Sequence, residues 1–161
     1  MLFNIHPKNT EELYETPIVQ QTAFWSDVKA QLGADTLAVN FKAYQSDLFH
    51  SSEDKTILSS DILVILWQID RYHSIAYIPY GPELEPAEEF HGLFLEELSE
   101  SIRPFLPKDC ILIRYDLCWQ SYWAKDEEHF DDNGAWKGQP DSLSQEFRFN
   151  FNTHRWNFKK A

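Results

Sequence analysis

Asp61-Ile62-Leu63-Val64-Ile65-Leu66-Trp67-Gln68 decides the fold class. The run is continuously apolar, too short for a buried helix, and rich in β-branched residues. That pattern predicts a central strand covered on both faces. Working outward, a turn at Asp70–His73 leads to Ser74-Ile75-Ala76-Tyr77-Ile78-Pro79, the expected hairpin partner, which Tyr80-Gly81-Pro82 breaks. Upstream, Thr36–Tyr44 alternates, with Leu37, Val39 and Phe41 on one side, as in a half-buried strand. Before it, Thr22 opens a helix that places Trp25, Val28 and Leu32 on one face and stops at Gly33. Residues 1–17 read as an irregular lead-in with a helical turn near Glu11–Tyr14, and 45–57 as a polar loop.

Downstream, Ala87–Phe105 carries Phe90, Leu93, Phe94, Glu97, Leu98, Ile102 and Phe105 at helical spacing, with Pro107 following. Cys110–Leu117 is a further strand. Residues 120–142 form a long acidic, Gly- and Pro-bearing connection, and Glu146–Phe151 alternates again. The expected fold is α/β, with one mixed, largely antiparallel sheet flanked by helices.

Composition narrows the function classes. The 161 residues carry 26 acids against 14 Lys and Arg, a net charge of -12, and 16% aromatics. Such an excess of acid lacks the cationic face that phosphate backbones require, so DNA is not an expected partner. No signal segment precedes the first elements, and the apolar run at 62–67 is far too short to span a bilayer. Cys110 and Cys118 make no disulfide framework, which fits a reduced, cytoplasmic chain with buried thiols. Histidines 6, 50, 73, 91, 129 and 154 lack metal-ligand spacing, and the scattered glycines build no phosphate-cradling loop. No metal or cofactor is therefore expected. The acids of 126–132 lack a calcium-loop pattern.

Four segments stand out. Trp25 and Lys29 lie one turn apart on a helix, which a core Trp with a solvated Lys explains. Tyr77-Ile78-Pro79-Tyr80-Gly81-Pro82 fixes a backbone break at a strand end, either a plain turn or a binding loop. Arg114 inside a strand is an ion-pair partner, of Asp116 or Glu85, or else an anion contact. After Glu146 the sign of the charge reverses: Arg148, Arg155, Lys159 and Lys160 follow and no acid does. A helix opening there could receive a phosphate or carboxylate.

Taken in order, these segments resemble the Fem family of peptidoglycan aminoacyl-transferases. The resemblance runs from Pro17 to Ala161 and covers the first of that family's two acetyltransferase-like (GNAT-like) domains. It implies a single GNAT-like domain over 1–161. It also implies a cell-wall role, in which aminoacyl-tRNA donates to an amine of a UDP-linked or lipid-linked muropeptide precursor. The segments Gln-Gln-x-x-Phe-Trp-x-x-x-Lys, Tyr-Ile-Pro-Tyr-Gly-Pro, Arg-Tyr-Asp-Leu-x-Trp and Thr-His-Arg-Trp-Asn-Phe-Lys-Lys-Ala carry it. Through them Trp25, Lys29, Tyr77, Tyr80, Gly81, Arg114, Arg155 and Lys159 are the implied precursor-binding residues, and no catalytic residue is named.

The chain departs from the family pattern at three residues, and its loop at 126–142 lacks the Pro–Thr and apolar strand that usually precede the last segment. Tyr80 stands where Arg is usual and removes a cation. His154 replaces Thr, and Lys159 replaces Arg, which keeps charge but loses bidentate geometry. The second domain supplies much of the acceptor and tRNA surface, so the expectation is a precursor-binding half. The alternative expectation is a catalytically inactive, homodimeric interaction module. A free-standing acetyltransferase ranks last, for want of a Gly-rich cofactor turn.

Overall fold

The computed structural model describes residues 2–50, 56–119, 133 and 135. The chain divides into two compact units, 1–119 and 120–161. The architecture that follows belongs to the first. The acidic connection at 120–142 (apart from Asn133 and Ala135), the alternating stretch 146–151 and the basic segment with Arg155 and Lys159 lie outside the described residues.

Five strands form one sheet in the order β1-β2-β3-β4-β5, namely Leu2–Lys8, Asp35–Tyr44, Ile57–Gln68, Ser74–Pro79 and Cys110–Asp116. The first three joins are antiparallel and β4–β5 is parallel, so the sheet is mixed and the class α/β, as expected. β3 is the central strand. Ile62, Leu63, Val64 and Ile65 are fully buried, which accounts for its unbroken apolar pattern. It begins earlier than its apolar run, at Ile57, because it pairs with β2 along that strand's whole length.

One face of the sheet holds Val39, Phe41, Ala43, Ile62, Val64, Ala76 and Ile78, and it packs against helix α3, His91–Ile102. Phe94, Leu95, Leu98 and Ile102 are the helix's contribution. α3 is also the crossover that lets β5 run parallel to β4. Acids Glu88 and Glu89 precede it in a 3-10 turn, and Arg103-Pro104 ends it. The opposite face is covered over β2 and β3 by helix α1, Ala23–Gln31, and the 3-10 turns at 10–12 and 19–21. Thr22 caps α1 by accepting the Trp25 N–H, and Gly33 terminates it at φ +83.

Several expectations are corrected. Residues 2–8 are an edge strand rather than a lead-in. A register irregularity between Phe3 and His6, with Asn4 at φ +50, breaks the period-two signal, and Pro7 is tolerated because the strand is at an edge. β2 is buried on both faces, Ala38 and Asn40 on one and Val39 and Phe41, packed in the core with α3, on the other. Within 45–57 lies a short helix, α2 (Gln45–Leu48), and Leu48 is fully buried. Leu32 and Leu93 are exposed, at 74% and 55%, because the helices meet the sheet through Ser26 and through the Phe94–Leu98–Ile102 stripe. Cys110 is half-buried and Cys118 exposed, so neither is a core thiol.

Candidate functional site

Two of the segments singled out in sequence, Tyr77–Pro82 and the strand of Arg114, meet at the C-terminal end of β4, and Gln21 joins them. There β4 leaves its neighbour: β3 pairs with it only from Ile65 to Gln68. The Gln21 carboxamide fills the opening. Its Oε1 accepts from Leu63 N at 2.8 Å, and its Nε2 donates to Pro79 O at 2.5 Å. Gly81 follows at a position where a Cβ would stand 2.8 Å from the Gln21 carboxamide carbon, so glycine is required by close approach. Tyr80 sits between them at φ +51 with its ring half exposed. Pro82 O accepts from Trp119 Nε1 at 2.8 Å, and Trp119 packs on Phe94.

On the α1 side of the sheet, beyond α1's cover, a polar and aromatic cluster spans β3, β4 and β5. Tyr77 and Arg114 are direct parallel partners, and Pro79 faces Asp116. Tyr77 Oη donates to Asp116 Oδ2 at 2.5 Å, while Arg114 Nε and Nη2 donate to Asp116 Oδ1 at 3.2 and 3.1 Å. The Arg114 guanidinium lies 5.5 Å from the Tyr77 ring centre, and Trp67 packs on the other side at 4.6 Å. Of the two partners read for Arg114, Asp116 is the one it takes. Asp116 thus balances the guanidinium and holds the tyrosine hydroxyl together. Trp67, Leu112 and Arg114 keep this part of the face open to solvent.

Burial pushes the Tyr77 hydroxyl up to about 12, and the neighbouring Asp116 carboxylate adds to the shift. Its ordinary value is 10.0, so the folded state holds this proton more tightly than the unfolded state. The associated stability is full below about pH 10 and is lost as pH rises from there through about 12. Absorbance titration is expected to show a late tyrosine step near pH 12 that disappears in Tyr77→Phe. A step that survives the substitution contradicts the assignment. Tyr115, partly buried on the α3 side with its hydroxyl 2.9 Å from Ser99 Oγ, is also shifted upward by desolvation.

Trp25 and Lys29 stand on α1, apart from the β4–β5 cluster in sequence and element. Lys29 Nζ lies 4.7 Å over the Trp25 ring, and Trp25 Nε1 is buried with no hydrogen-bond partner. The pair thus combines a cation over an aromatic ring with one buried, unbonded donor. Cys118 is an unpromising nucleophile: partial burial raises its thiol, and Glu85 and Glu83 oppose the thiolate further. Sequence reasoning missed Gln21 as the organiser of this end of the sheet and Trp67 as part of the cluster. Gln21 lay within a quoted segment, but nothing local marks a glutamine that bonds 42 residues away.

Among the described residues no group of three His, Cys, Asp or Glu side chains could hold a metal ion, and no helix is long and apolar enough to cross a membrane. No family model, curated protein or solved structure matches this chain.

Proposed function

We propose that this chain is the precursor-binding half of a Fem-like aminoacyl-transferase, GNAT-like in fold and cytoplasmic. It holds a UDP-linked or lipid-linked muropeptide while a second domain or chain engages aminoacyl-tRNA. The single observation that carries the reading is the interlocking of three segments far apart in sequence. Gln21 bonds Pro79, Tyr77 bonds Asp116, and Trp119 bonds Pro82. Gln21, Tyr77–Pro82 and the Asp116–Trp119 stretch thus interlock around the Tyr80–Gly81 break. The order of strands, with α3 crossing between parallel β4 and β5, supports the GNAT-like assignment.

Trp67 and Tyr77 offer a stacking surface for a base or sugar, and Lys29 offers a cation for phosphate. Arg114, neutralised by Asp116, is a positioning partner of Tyr77 in this reading rather than an anion anchor. Isothermal calorimetry with UDP-linked muropeptide is expected to show saturable heat. Lys29→Ala should weaken affinity about three- to tenfold, the scale of one partly exposed charge contact. Absence of heat at millimolar ligand rejects the reading.

Exposed Trp67, Tyr72 and Leu112 favour a second reading, a homodimeric module that buries the same sheet face. Diluting the protein alone in the calorimeter separates the two, because only a dimer gives a concentration-dependent heat of dissociation.

A further inference from the structure

A second opening follows from the same divergence of β3 and β4, and it lies apart from the Tyr77 cluster. Because β4 pairs only with 65–68, no strand among the described residues pairs with the edge of β3 from Ile57 to Leu63. Strand geometry tells which main-chain groups are left over. Leu63 turns its N–H away from β2, toward Gln21. Alternation then aims the N–H and C=O of Asp61 and Ser59 the same way, while those of Ser60 and Ile62 face β2. The Ser60 carbonyl accepting from Asn40 on β2 agrees with that phase.

These groups line a groove of about 390 Å³. Leu58–Asp61, Glu83–Glu85 and Tyr14–Thr16 line it. Gln21 closes one end. There its carboxamide meets Leu63 N and, at 3.4 Å, Leu63 O, doing with a side chain what the peptide group of an added strand would do. Gln21 thus satisfies one step of this edge, and no strand among the described residues takes the next two.

We propose that this groove receives an extended, lysine- or arginine-bearing peptide segment, which adds to β3 as a strand at Ser59 and Asp61. The chemistry of the occupant follows from the rim. Glu15, Glu83 and Glu85 are exposed carboxylates around the groove, and the whole chain carries a net charge of -12, so a polyanion is repelled and a basic segment attracted. The Asp61 carboxylate takes no part. It is already held by Lys8 Nζ at 2.9 Å, Tyr14 N at 2.8 Å and Asn40 Nδ2 at 2.7 Å, so only its main chain is on offer. Partly buried Leu58 and Leu84 give the segment's alternate side chains an apolar seat. Main-chain bonds would supply affinity and the acidic rim the preference, as in other strand-addition sites. The site does not depend on the muropeptide reading, since none of its lining residues except Gln21 belongs to that cluster.

The test is amide NMR of the full chain titrated with the blocked hexapeptide acetyl-Thr-Lys-Val-Lys-Val-Thr-amide. The Ser59 and Asp61 amide signals are expected to move and their hydrogen exchange to slow about tenfold or more at saturation. The double variant Glu83→Gln/Glu85→Gln should raise Kd about three- to tenfold, the worth of two rim charges. The same peptide with Glu in place of Lys, or with its strand-facing amides N-methylated, should leave both signals unmoved. Three results would each overturn the proposal: silence of Ser59 and Asp61 at millimolar peptide, an equal response to the acidic peptide, or an equal response to the N-methylated one.

Discussion

Phe94→Ala is expected to destabilise the domain by about 3–5 kcal/mol, the range for emptying a buried aromatic site. Phe94 is fully buried, with ring centroids 5.9 Å from Phe41 in an edge-on contact and 6.0 Å from Trp119. Leu98 and Ile102 continue its stripe along α3, and both are fully buried in the same core as the β2–β4 side chains. The surroundings therefore have little freedom to collapse into the space. The loss reaches beyond the core, because Trp119 is what bonds Pro82 and so steadies the Tyr80–Gly81 break. Thermal unfolding should show a midpoint roughly 10–20 °C lower. The internal control is one residue away: Leu93 is 55% exposed, and Leu93→Ala should stay within about 0.5 kcal/mol of wild type. Equal effects from the two substitutions would mean that α3 packs through a different face.

Gln21→Ala is the second large expected loss, about 2–4 kcal/mol, because it leaves buried main-chain groups of Leu63 and Pro79 without partners. Denaturant unfolding measures it. Coupling to Gly81 makes the prediction specific. Gly81→Ala pushes a methyl group against a carboxamide that is pinned by its own hydrogen bonds. In the double variant that carboxamide is gone, so the combined cost should fall short of the sum by about 1 kcal/mol or more. Strict additivity would show that Gln21 and Gly81 do not meet. Gln21→Glu gives the same site a pH signature. A carboxylate there would face the carbonyls of Pro79 and Leu63, so the folded state would favour the protonated acid and raise its pKa above the unfolded value of about 4.3. The variant's stability is then highest below that value and is lost as pH rises through the folded pKa.

The elements that were legible in sequence are those whose burial is repeated along the chain. Ile62–Ile65 is apolar at every position because both faces are covered, and Phe94, Leu98 and Ile102 recur at helical spacing because one face is. The elements that were not legible break their own period. β1 carries a register shift and a left-handed Asn4, and α1 presents Ser26 to the sheet while its Leu32 points to solvent. Of the residues singled out in sequence, Tyr77, Tyr80, Gly81 and Arg114 lie together on β4, its terminal break and β5. Their partners were not legible in sequence. Asp116 serving Tyr77 and Arg114 at once depends on the parallel register of β4 and β5, which sequence alone does not specify.

By itself, the sequence determined that this is an α/β chain with a doubly covered central strand, a long packing helix and a turn at Tyr80-Gly81-Pro82. Those are local or periodic properties, written into each segment by what it must bury. Register and packing add that β4 parts from β3 beyond Ile65, that Gln21 fills the resulting gap, and that no strand among the described residues pairs with Ser59 and Asp61. The reason is that hydrogen-bond partners across a sheet are set by register and by where strands part, and a strand's own residues carry no record of where a neighbour parts from it.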